Sequence, residues 1–461
     1  MIVKLAIRSL LAHPIRSAVL AAGFGVGVAV MAILLGVAQI VLEQARSPAL
    51  IGGGDVVVRG VSTGVTAARE LLSNALRTPP LAGRIRAASP RSGATLYLVR
   101  EVGVLPVRAR GGIPSLERAL DDPEVSGAKG WVDAPGDAAW TSPDPTDVLR
   151  VMDRFRPVPD VPERVASWAE WLYFNGRSSG ARFYLTFLVG PPRLDGTRTA
   201  GVRLQLERGG RVESFDATAA LDDAAVAAAP DLTIGANRVR LDGLRYVITL
   251  DLGGEGGRRA TGELFIEAVP GRMMPPIEIH GAGGWRSGYV VPVMSGLLGG
   301  SIRVNGEQVA LDGGTGYHDH NWGFWEGVSW QWGQVQEGDT SIVYGRVFPP
   351  RDAADPDRMP GFLTAIGPGG TLGYATNVTI DEVNDPVTSH PQRITIRGRS
   401  DSIDLTLTFS VDAVVVNARQ GPLAGAMDFL QLRGRYDVAG TAADRRFGFQ
   451  AAGSAETFRG R

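Results

Sequence analysis

Apolar and polar residues alternate strictly along several stretches of the chain beyond residue 165. Residues 202–207 read VRLQLE and residues 403–411 read IDLTLTFSV, so every second side chain is apolar. Such strands bury one face only and belong to antiparallel sheets with a solvated exterior. The pairs Asn305-Gly306 and Asp242-Gly243 are typical of tight turns between two such strands. We count about 16 strand candidates between residues 165 and 455, enough for two barrels or sandwiches of about eight strands each.

The composition favours a turn-rich β protein and excludes several classes of function. The 461 residues include 61 glycines and 29 prolines, and helical periodicity is scarce after about residue 160. The net charge is −1, from 47 basic and 48 acidic residues dispersed along the chain, so no nucleic-acid partner is predicted. The chain has no cysteine, which excludes disulfides, thiolate metal sites and cysteine nucleophiles.

An uncharged segment lies close to the N-terminus. From Ser17 to Leu42 no residue is charged, and a helix of this length spans a bilayer. Lys4, Arg8 and Arg16 precede the segment without an acidic residue among them, so the positive-inside rule places the N-terminus in the cytoplasm. A cleavable signal peptide is the alternative, although its apolar core is usually about 7–15 residues long and ends at an A-x-A site. We predict an uncleaved single-pass anchor with the rest of the chain outside the cytoplasm.

Two N-terminal segments carry a family resemblance. Residues 5–37 read LAIRSLLAHPIRSAVLAAGFGVGVAVMAILLGV and residues 52–60 read GGGDVVVRG. Together they resemble the first transmembrane helix and early periplasmic segment of the macrolide-exporter type of ABC permease. The later helices of such permeases are missing from the sequence. The resemblance therefore implies a permease-like anchor in a bacterial inner membrane, periplasmic β domains, and components of an ABC transporter as partners.

Composition divides the chain into four parts. Residues 1–46 hold the cytoplasmic N-terminus and the anchor, and residues 47–160 form a mixed α/β segment next to the membrane. Helices are predicted in this segment from Ser62 and for the sequences PSLERALDD and PTDVLRVMDRF. The proline-rich connectors TSPDPTD and RPVPDVPE mark its end. We assign residues 161–312 and 313–461 to two tandem β domains.

Residues 316–334, GYHDHNWGFWEGVSWQWGQ, collect two of the five histidines and four of the nine tryptophans. If Tyr317 to Trp322 forms a strand, His318 and His320 project from one face, and Tyr317, Asp319 and Asn321 project from the other.

Three interpretations fit the histidine pair. A metal site would need a third ligand, and the candidates are His280, His390, Asp319 and Glu326. A structural pair would bond to neighbouring backbone groups inside an aromatic-lined barrel. A histidine or aspartate in an apolar cavity would have a shifted pKa and could act as a general acid. We assign no metal to this segment.

The tryptophans of the same segment suggest a cavity. Trp330 and Trp332 share one strand face, and Trp322 and Trp325 lie just upstream. Because tryptophan faces are good cation–π partners, a cavity lined with them could hold a polyene or stabilise a carbocation. The alternative is that each of them is a large core residue.

Four motifs together carry a second family resemblance. They are EWLYFNG at residues 170–176, GYHDHNWG at 316–323, WQWGQ at 330–334 and GSAETF at 453–458. In this order they resemble the AttH-like lipocalin family, which includes carotenoid 1,2-hydratase, also called hydroxyneurosporene synthase. Over residues 165–461 the resemblance implies two lipocalin-like β-barrels around an apolar cavity. For hydratase members it also implies acid-catalysed addition of water to an isoprenoid double bond without a cofactor.

The resemblance assigns roles residue by residue. His320 and Trp322 fall on the histidine and tryptophan of the family motif, and Tyr344 falls on a downstream tyrosine. The hydratases pair that tyrosine with an aspartate two positions later, where this chain has Arg346. A guanidinium cannot act as a general acid at ordinary pH. The other candidates for the acid are Asp319, His318 and Glu170.

Two functions therefore stay open. The chain is either a membrane-anchored protein that binds an isoprenoid or lipid, accessory to ABC-type export, or a membrane-tethered hydratase or cyclase of a carotenoid or isoprenoid. The anchor and Arg346 favour binding, whereas the dense His/Asp/Trp motif favours catalysis. The predicted catalytic residues are His320, Asp319, Tyr344 and His318. The predicted ligand-binding residues are Trp322, Trp330, Trp332, Trp171, Tyr173, Tyr317 and Glu170.

Overall fold

A computed structural model gives the fold of the chain. It describes residues 84–100, 103–120, 130–141, 143–418, 427–443 and 445–460, with scattered residues between 12 and 76. The chain forms two compact units, Met1–Gly64 with Ala87–Pro135 and Val65–Arg86 with Gly136–Arg461. In its described residues the first unit holds the antiparallel strands β1 (Arg91–Arg100) and β2 (Gly103–Gly112) and helix α1 (Pro114–Ala119).

From residue 136 on, two described α-helices precede the strands of the second unit, α2 (Ala138–Thr141) and α3 (Pro145–Asp153). The predicted helix in PTDVLRVMDRF is confirmed as α3. The side chain of Asp144 caps its start by accepting hydrogen bonds from the backbone N–H groups of Thr146 and Asp147. Leu149 and Met152 are fully buried in the core of the first barrel. The helix therefore ends with Asp153 buried beside that core.

The first large sheet follows α3. Its strands are β3 (Trp168–Arg177), β4 (Ala181–Pro192), β5 (Thr197–Arg208), β6 (Arg211–Asp222), β7 (Leu232–Ile234), β8 (Asn237–Asp242), β9 (Arg245–Gly254), β10 (Arg259–Glu267), β11 (Met274–His280), β12 (Arg286–Val304), β13 (Glu307–Ala310) and β14 (Gly314–Phe324), and the short helix α4 (Asp223–Ala227) follows β6. Eight of them close a barrel in the order β3-β4-β5-β6-β9-β10-β12-β14, because β14 also pairs with β3. All of these pairings are antiparallel.

The second large sheet comprises the nine described strands β15 (Ser329–Glu337), β16 (Thr340–Phe348), β17 (Phe362–Gly367), β18 (Gly370–Ala375), β19 (Asn377–Asn384), β20 (Pro391–Ser400), β21 (Ile403–Ala418), β22 (Met427–Ala442) and β23 (Arg445–Gly460). Their order is β18-β17-β16-β15-β23-β22-β21-β20-β19, a nearly closed barrel. The predicted mainly β fold with two barrel-like sheets is thus confirmed. The chain passes from the first sheet to the second between Phe324 and Ser329, whereas the sequence pattern placed the change after residue 312.

Residue alternation and turn chemistry explain the strands. In β5, Val202, Leu204 and Leu206 are buried in the barrel core. The turn between β12 and β13 uses Asn305 and Gly306 with φ of 50° and 91°, as predicted. The β8–β9 hairpin closes with Asp242 opposite Arg245, so its turn begins at Gly243, one residue later than predicted.

The predicted membrane anchor cannot be compared with a described helix. Of the span from Ser17 to Leu42, only scattered residues belong to the described part of the chain. Within that part, no helix combines the length and the apolar character needed to cross a bilayer. The helix predicted from Ser62 also lies mainly outside the described residues.

Candidate functional site

A hollow of about 300 Å³ lies between the two barrels. Both sheets contribute to its wall, which includes Trp171 of β3, Tyr289 of β12, and Trp330 and Trp332 of β15. This volume is at the lower end of the range of about 300–1,000 Å³ that is usual for small-molecule sites. The hollow is therefore large enough to enclose a small hydrophobic molecule.

Tryptophan rings form one side of the hollow. The ring of Trp171 lies 4.6 Å from that of Trp325 and 6.3 Å from that of Trp330. Trp325 donates its indole N–H to the carbonyl of Ala169 at 2.9 Å. Such a wall is apolar and offers electron-rich ring faces to a bound molecule.

A carboxyl group also lines the hollow. Asp319 of β14 is only 3% exposed, and its Oδ2 accepts a hydrogen bond from Tyr317 Oη at 3.0 Å. Its Oδ1 accepts one from Asn321 Nδ2 at 2.8 Å. Burial and the negative charge of Glu456 raise the pKa of Asp319 well above its ordinary value, although the two hydrogen bonds oppose this shift. Asp319 therefore keeps its proton at pH values where an exposed aspartate has lost it, and a protonated carboxyl in an apolar site is a proton donor.

A chain of hydrogen bonds links Asp319 to the opposite barrel. Trp332 Nε1 donates to Tyr289 Oη at 2.8 Å, and this hydroxyl lies 2.6 Å from Tyr317 Oη. Tyr317 in turn donates to Asp319. Burial, the largest cause, and nearby Asp319 raise the pKa of both tyrosines well above the ordinary value. Both hydroxyls thus stay protonated and hold the carboxyl of Asp319 in place.

A second carboxyl group reaches the hollow from the second barrel. Glu456 of β23 accepts a hydrogen bond at Oε1 from Tyr173 Oη of the first barrel at 2.9 Å. Gln431 Nε2 lies 3.5 Å from the same oxygen. Glu456 thus joins the two barrels.

The histidines lie on the other face of β14, inside the first barrel. His318 Nε2 is 2.6 Å from Asp153 Oδ2, and His318 Nδ1 is 2.9 Å from the carbonyl oxygen of Tyr173. His320 Nδ1 is 3.1 Å from Asp153 Oδ1, and His320 Nε2 is 2.9 Å from Glu170 Oε1. Both nitrogens of each ring thus lie within hydrogen-bond distance of an oxygen acceptor.

The two carboxylates and the two imidazoles of this site are fully buried. Burial alone would raise the pKa of Asp153, but His318 and His320 outweigh burial and hold that pKa below the ordinary value of 3.8. The backbone N–H of Arg156 donates to both carboxylate oxygens of Glu170, at 2.9 and 3.0 Å. We call Asp153, Arg156, Glu170, His318 and His320 the buried charge cluster.

Trp322 belongs to this cluster rather than to the hollow. The guanidinium of Arg156 lies 3.7 Å above its ring, an arrangement typical of a cation–π contact. Its indole N–H donates to Glu278 Oε1 at 2.9 Å. Glu278 also lines the hollow, so the cluster and the hollow meet at this side chain.

The predicted site residues are thus divided among three places. Trp171, Tyr173, Asp319, Trp330 and Trp332 line the hollow, with Tyr317 directly behind Asp319. The first barrel interior holds His318, His320, Trp322 and Glu170. The core of the second barrel holds Tyr344, whose hydroxyl lies 3.1 Å from that of Tyr436.

The predicted catalytic residue His320 does not line the tryptophan-walled hollow. Alternation in β14 places the histidines on one face and Asp319 on the other, as predicted, but the hollow lies on the aspartate side. Within the described residues, no group of three or more His, Cys, Asp or Glu is arranged to hold a metal ion. Instead, the imidazoles and carboxylates of the cluster bond to one another.

Sequence reasoning missed several residues of both sites. Asp153 and Arg156 lie more than 150 residues from the histidines that they approach, and no local pattern indicates the contact. Tyr289 likewise stands in an apolar strand without a motif. Glu456 lies in the GSAETF motif, which could have drawn attention to it.

The chain is similar at low identity to several solved structures. No protein-family model and no curated protein matches the sequence. Kievitone hydratase from Nectria haematococca matches with a TM-score of 0.42 and 14% identity over 65% of this chain and 93% of its own. CghA matches with a TM-score of 0.42 and 12% identity over 67% and 94%.

A protein from Nitrosomonas europaea named "putative AttH" matches with a TM-score of 0.38 and 13% identity over 63% of this chain and 92% of its own. At TM-scores below 0.5 these likenesses carry no argument about activity. One of these proteins carries the AttH name of the family that the four motifs resemble.

Proposed function

We propose that the protein binds a hydrophobic small molecule, an isoprenoid or a lipid, in the hollow between the barrels, and that Asp319 protonates a double bond of this molecule. The observation that carries the proposal is the placement of Asp319. Its carboxyl is buried, has a raised pKa, and lines a hollow whose other walls are largely aromatic. This combination supplies a proton in an environment that favours an apolar substrate.

The proposed reaction needs only groups of the hollow and water. The proton of Asp319 adds to one carbon of the alkene, and the neighbouring carbon becomes a carbocation. A water molecule then adds to the cation and returns a proton to the carboxylate, which gives an alcohol. If a second double bond of the ligand attacks the cation first, a ring forms and the charge moves to another carbon; loss of a proton to the Asp319 carboxylate, or addition of water with return of its proton, then gives the neutral product. The faces of Trp171 and Trp330 are placed to stabilise the positive charge.

The buried charge cluster has a positioning role in this proposal. Its histidines bond to Asp153 and Glu170 and do not line the hollow. They hold β14 from inside the first barrel, while Asp319 faces the ligand from the same strand. A conservative change of Asp319 should therefore affect turnover more directly than a change of His320.

The test uses oxygen-18 water, an isoprenoid alkene and the purified full-length chain. We expect an alcohol product that carries the heavy oxygen, and we expect Asp319→Asn to abolish the product while tryptophan fluorescence still reports ligand binding. Asp381→Asn is the matched control, because Asp381 is exposed, pairs with Arg397 and does not line the hollow. Full turnover by Asp319→Asn would refute the role of Asp319.

A second candidate is a carrier that binds its ligand unchanged. Arg346 favours it, because the hydratases that the motifs resemble are expected to carry an aspartate at this position. Lipid extraction of the purified chain followed by mass spectrometry distinguishes the two. A co-purified apolar molecule without added oxygen, together with no product in labelled water, would support the carrier.

The membrane placement is part of the same proposal. Its support is the uncharged segment from Ser17 to Leu42 and the basic residues before it. We propose tethering to a bacterial inner membrane with the barrels in the periplasm, and contact with an ABC transporter. Membrane fractions of the producing cells should retain the full chain after alkaline extraction, whereas its release by that treatment would refute the anchor.

A further inference from the structure

We propose that the ligand of the hollow is an amphiphilic carboxylic acid, and that Arg346 binds its carboxylate. The inference rests on the proposed function, since it assumes that the hollow is the ligand site. It adds a substrate class and a specificity-determining residue that the apolar walls alone do not specify.

Arg346 lies in the wall of the hollow. It belongs to β16 and pairs with Gln331 of β15, whose side chain projects from the strand face opposite to Trp330 and Trp332, but Arg346 and both tryptophans line the same hollow. Its chain neighbours Gly345 and Val347 line the hollow as well. A charged group bound to Arg346 would therefore leave its apolar tail among the tryptophan rings.

The protein holds the guanidinium in place without neutralising it. Its Nη2 donates to the carbonyl oxygens of Pro356 and Asp357, at 3.3 and 3.0 Å, and its carbon lies 4.7 Å from the Phe348 ring centre. The carboxylate of Asp357 instead faces Arg351, at 3.7 Å. In the part of the chain that the structure describes, Arg346 forms no ion pair, and its buried Nε has no hydrogen-bond partner.

A buried donor without a partner is unfavourable, and an anionic acceptor would satisfy it. Carboxylates fit the planar guanidinium fork, which can donate two parallel hydrogen bonds to them. A neutral polyene offers no such acceptor. The Nε donor of Arg346, which has no hydrogen-bond partner, therefore points to a ligand with an acidic head group.

The other charged groups of the hollow are already engaged. Arg203 stands opposite Asp216, and although burial lowers the pKa of the guanidinium, the negative charge of Asp216 opposes this shift. Glu278 accepts a hydrogen bond from Trp322, and Glu456 accepts one from Tyr173. Asp319 accepts hydrogen bonds from Tyr317 and Asn321, and its raised pKa favours the neutral carboxyl. Of the two arginines that line the hollow, Arg346 is thus the one for which the described residues supply no carboxylate partner.

The test compares all-trans-retinoate with all-trans-retinol, which share one apolar skeleton and differ in the head group. Quenching of tryptophan fluorescence in the purified full-length chain reports binding of each. We expect retinoate to bind at least about tenfold more tightly than retinol, which corresponds to one charge-assisted hydrogen bond. Arg346→Gln should remove this preference and leave retinol binding unchanged, and Arg346→Lys should retain part of it.

Arg351→Gln is the matched control, because this arginine is 80% exposed and lies in the loop after β16. It should keep the full preference for retinoate. If Arg346→Gln binds retinol normally and still prefers retinoate, the inference is overturned while the binding site in the hollow stands. If the unmodified chain binds neither retinoid, the proposed function itself fails. If Arg346→Lys and Arg346→Gln both lose retinol binding, Arg346 supports the fold rather than the head group, which also overturns the inference.

Discussion

Replacement of Asp153 by asparagine should destabilise the protein severely, because this carboxylate is the centre of the buried charge cluster. Its two oxygens accept hydrogen bonds from His318 at 2.6 Å and from His320 at 3.1 Å, and all three side chains are fully buried. Asparagine has nearly the same shape, but only one of its terminal groups can accept. One histidine would face a donor, and both would lose the compensating charge.

The expected loss follows from these contacts. A hydrogen bond to a charged group contributes about 1.5–3 kcal/mol, and removal of one partner from a buried ion pair costs about 3–5 kcal/mol. We therefore expect Asp153→Asn to lower the free energy of unfolding by about 3–5 kcal/mol at neutral pH. Urea denaturation followed by circular dichroism measures this difference. The control Asp381→Asn breaks a pair whose side chains are 64% and 58% exposed, and should cost less than about 1 kcal/mol.

The same variant has a predicted pH dependence. The pKa of Asp153 is lower in the folded chain than its ordinary 3.8, so its stabilising contribution is present above this value and lost as the pH falls below it. The difference between the unmodified chain and Asp153→Asn should stay constant near neutrality and shrink below about pH 4. A variant as stable as the unmodified chain at pH 7, or a difference that grows on acidification, would refute this reasoning.

Three further predictions concern the hollow. Tyr289→Phe removes the acceptor of the Trp332 indole N–H and should lower the free energy of unfolding by about 1–3 kcal/mol; an unchanged urea midpoint would show that this hydrogen bond contributes nothing. Gly288→Ala would place a Cβ 2.0 Å from the ring of Trp322 and should cost about 1–3 kcal/mol. Gly180→Ala, where no atom lies within 4 Å, is its control, and equal melting temperatures for both variants would contradict the expected clash. If Asp319 donates the proton, turnover should fall as the pH rises through its raised pKa, and a rate that stays constant far into the alkaline range would exclude Asp319 as the acid.

Much of the fold could be predicted because it depends on local patterns. Alternation in 202–207 and 403–411 identifies strands with one buried face, and Asn305-Gly306 identifies a turn that needs positive φ. The sheet to which β14 belongs could not be predicted, because it depends on pairing with β3, about 140 residues earlier in the chain. Register between distant strands leaves no local signal.

The site could be predicted in composition but not in arrangement. Period-two alternation correctly separates His318 and His320 from Asp319, since it depends only on strand geometry. Which face of β14 meets the hollow depends on the position of the second barrel. The other face of β14 lies inside the first barrel, where His318 bonds to Asp153 at the end of α3, a residue far away in sequence. A sequence motif identifies reactive side chains but does not indicate which face of the strand is accessible to a ligand.

The most direct test of the hollow as the ligand site is a crystal structure of the full-length chain with a brominated long-chain fatty acid. The anomalous signal of bromine locates the apolar tail independently of the protein phases. We predict a peak in the hollow between Trp171 and Trp332, with the carboxylate at Arg346. A peak inside the first barrel beside His318 and His320, or a hollow without any peak, would contradict it.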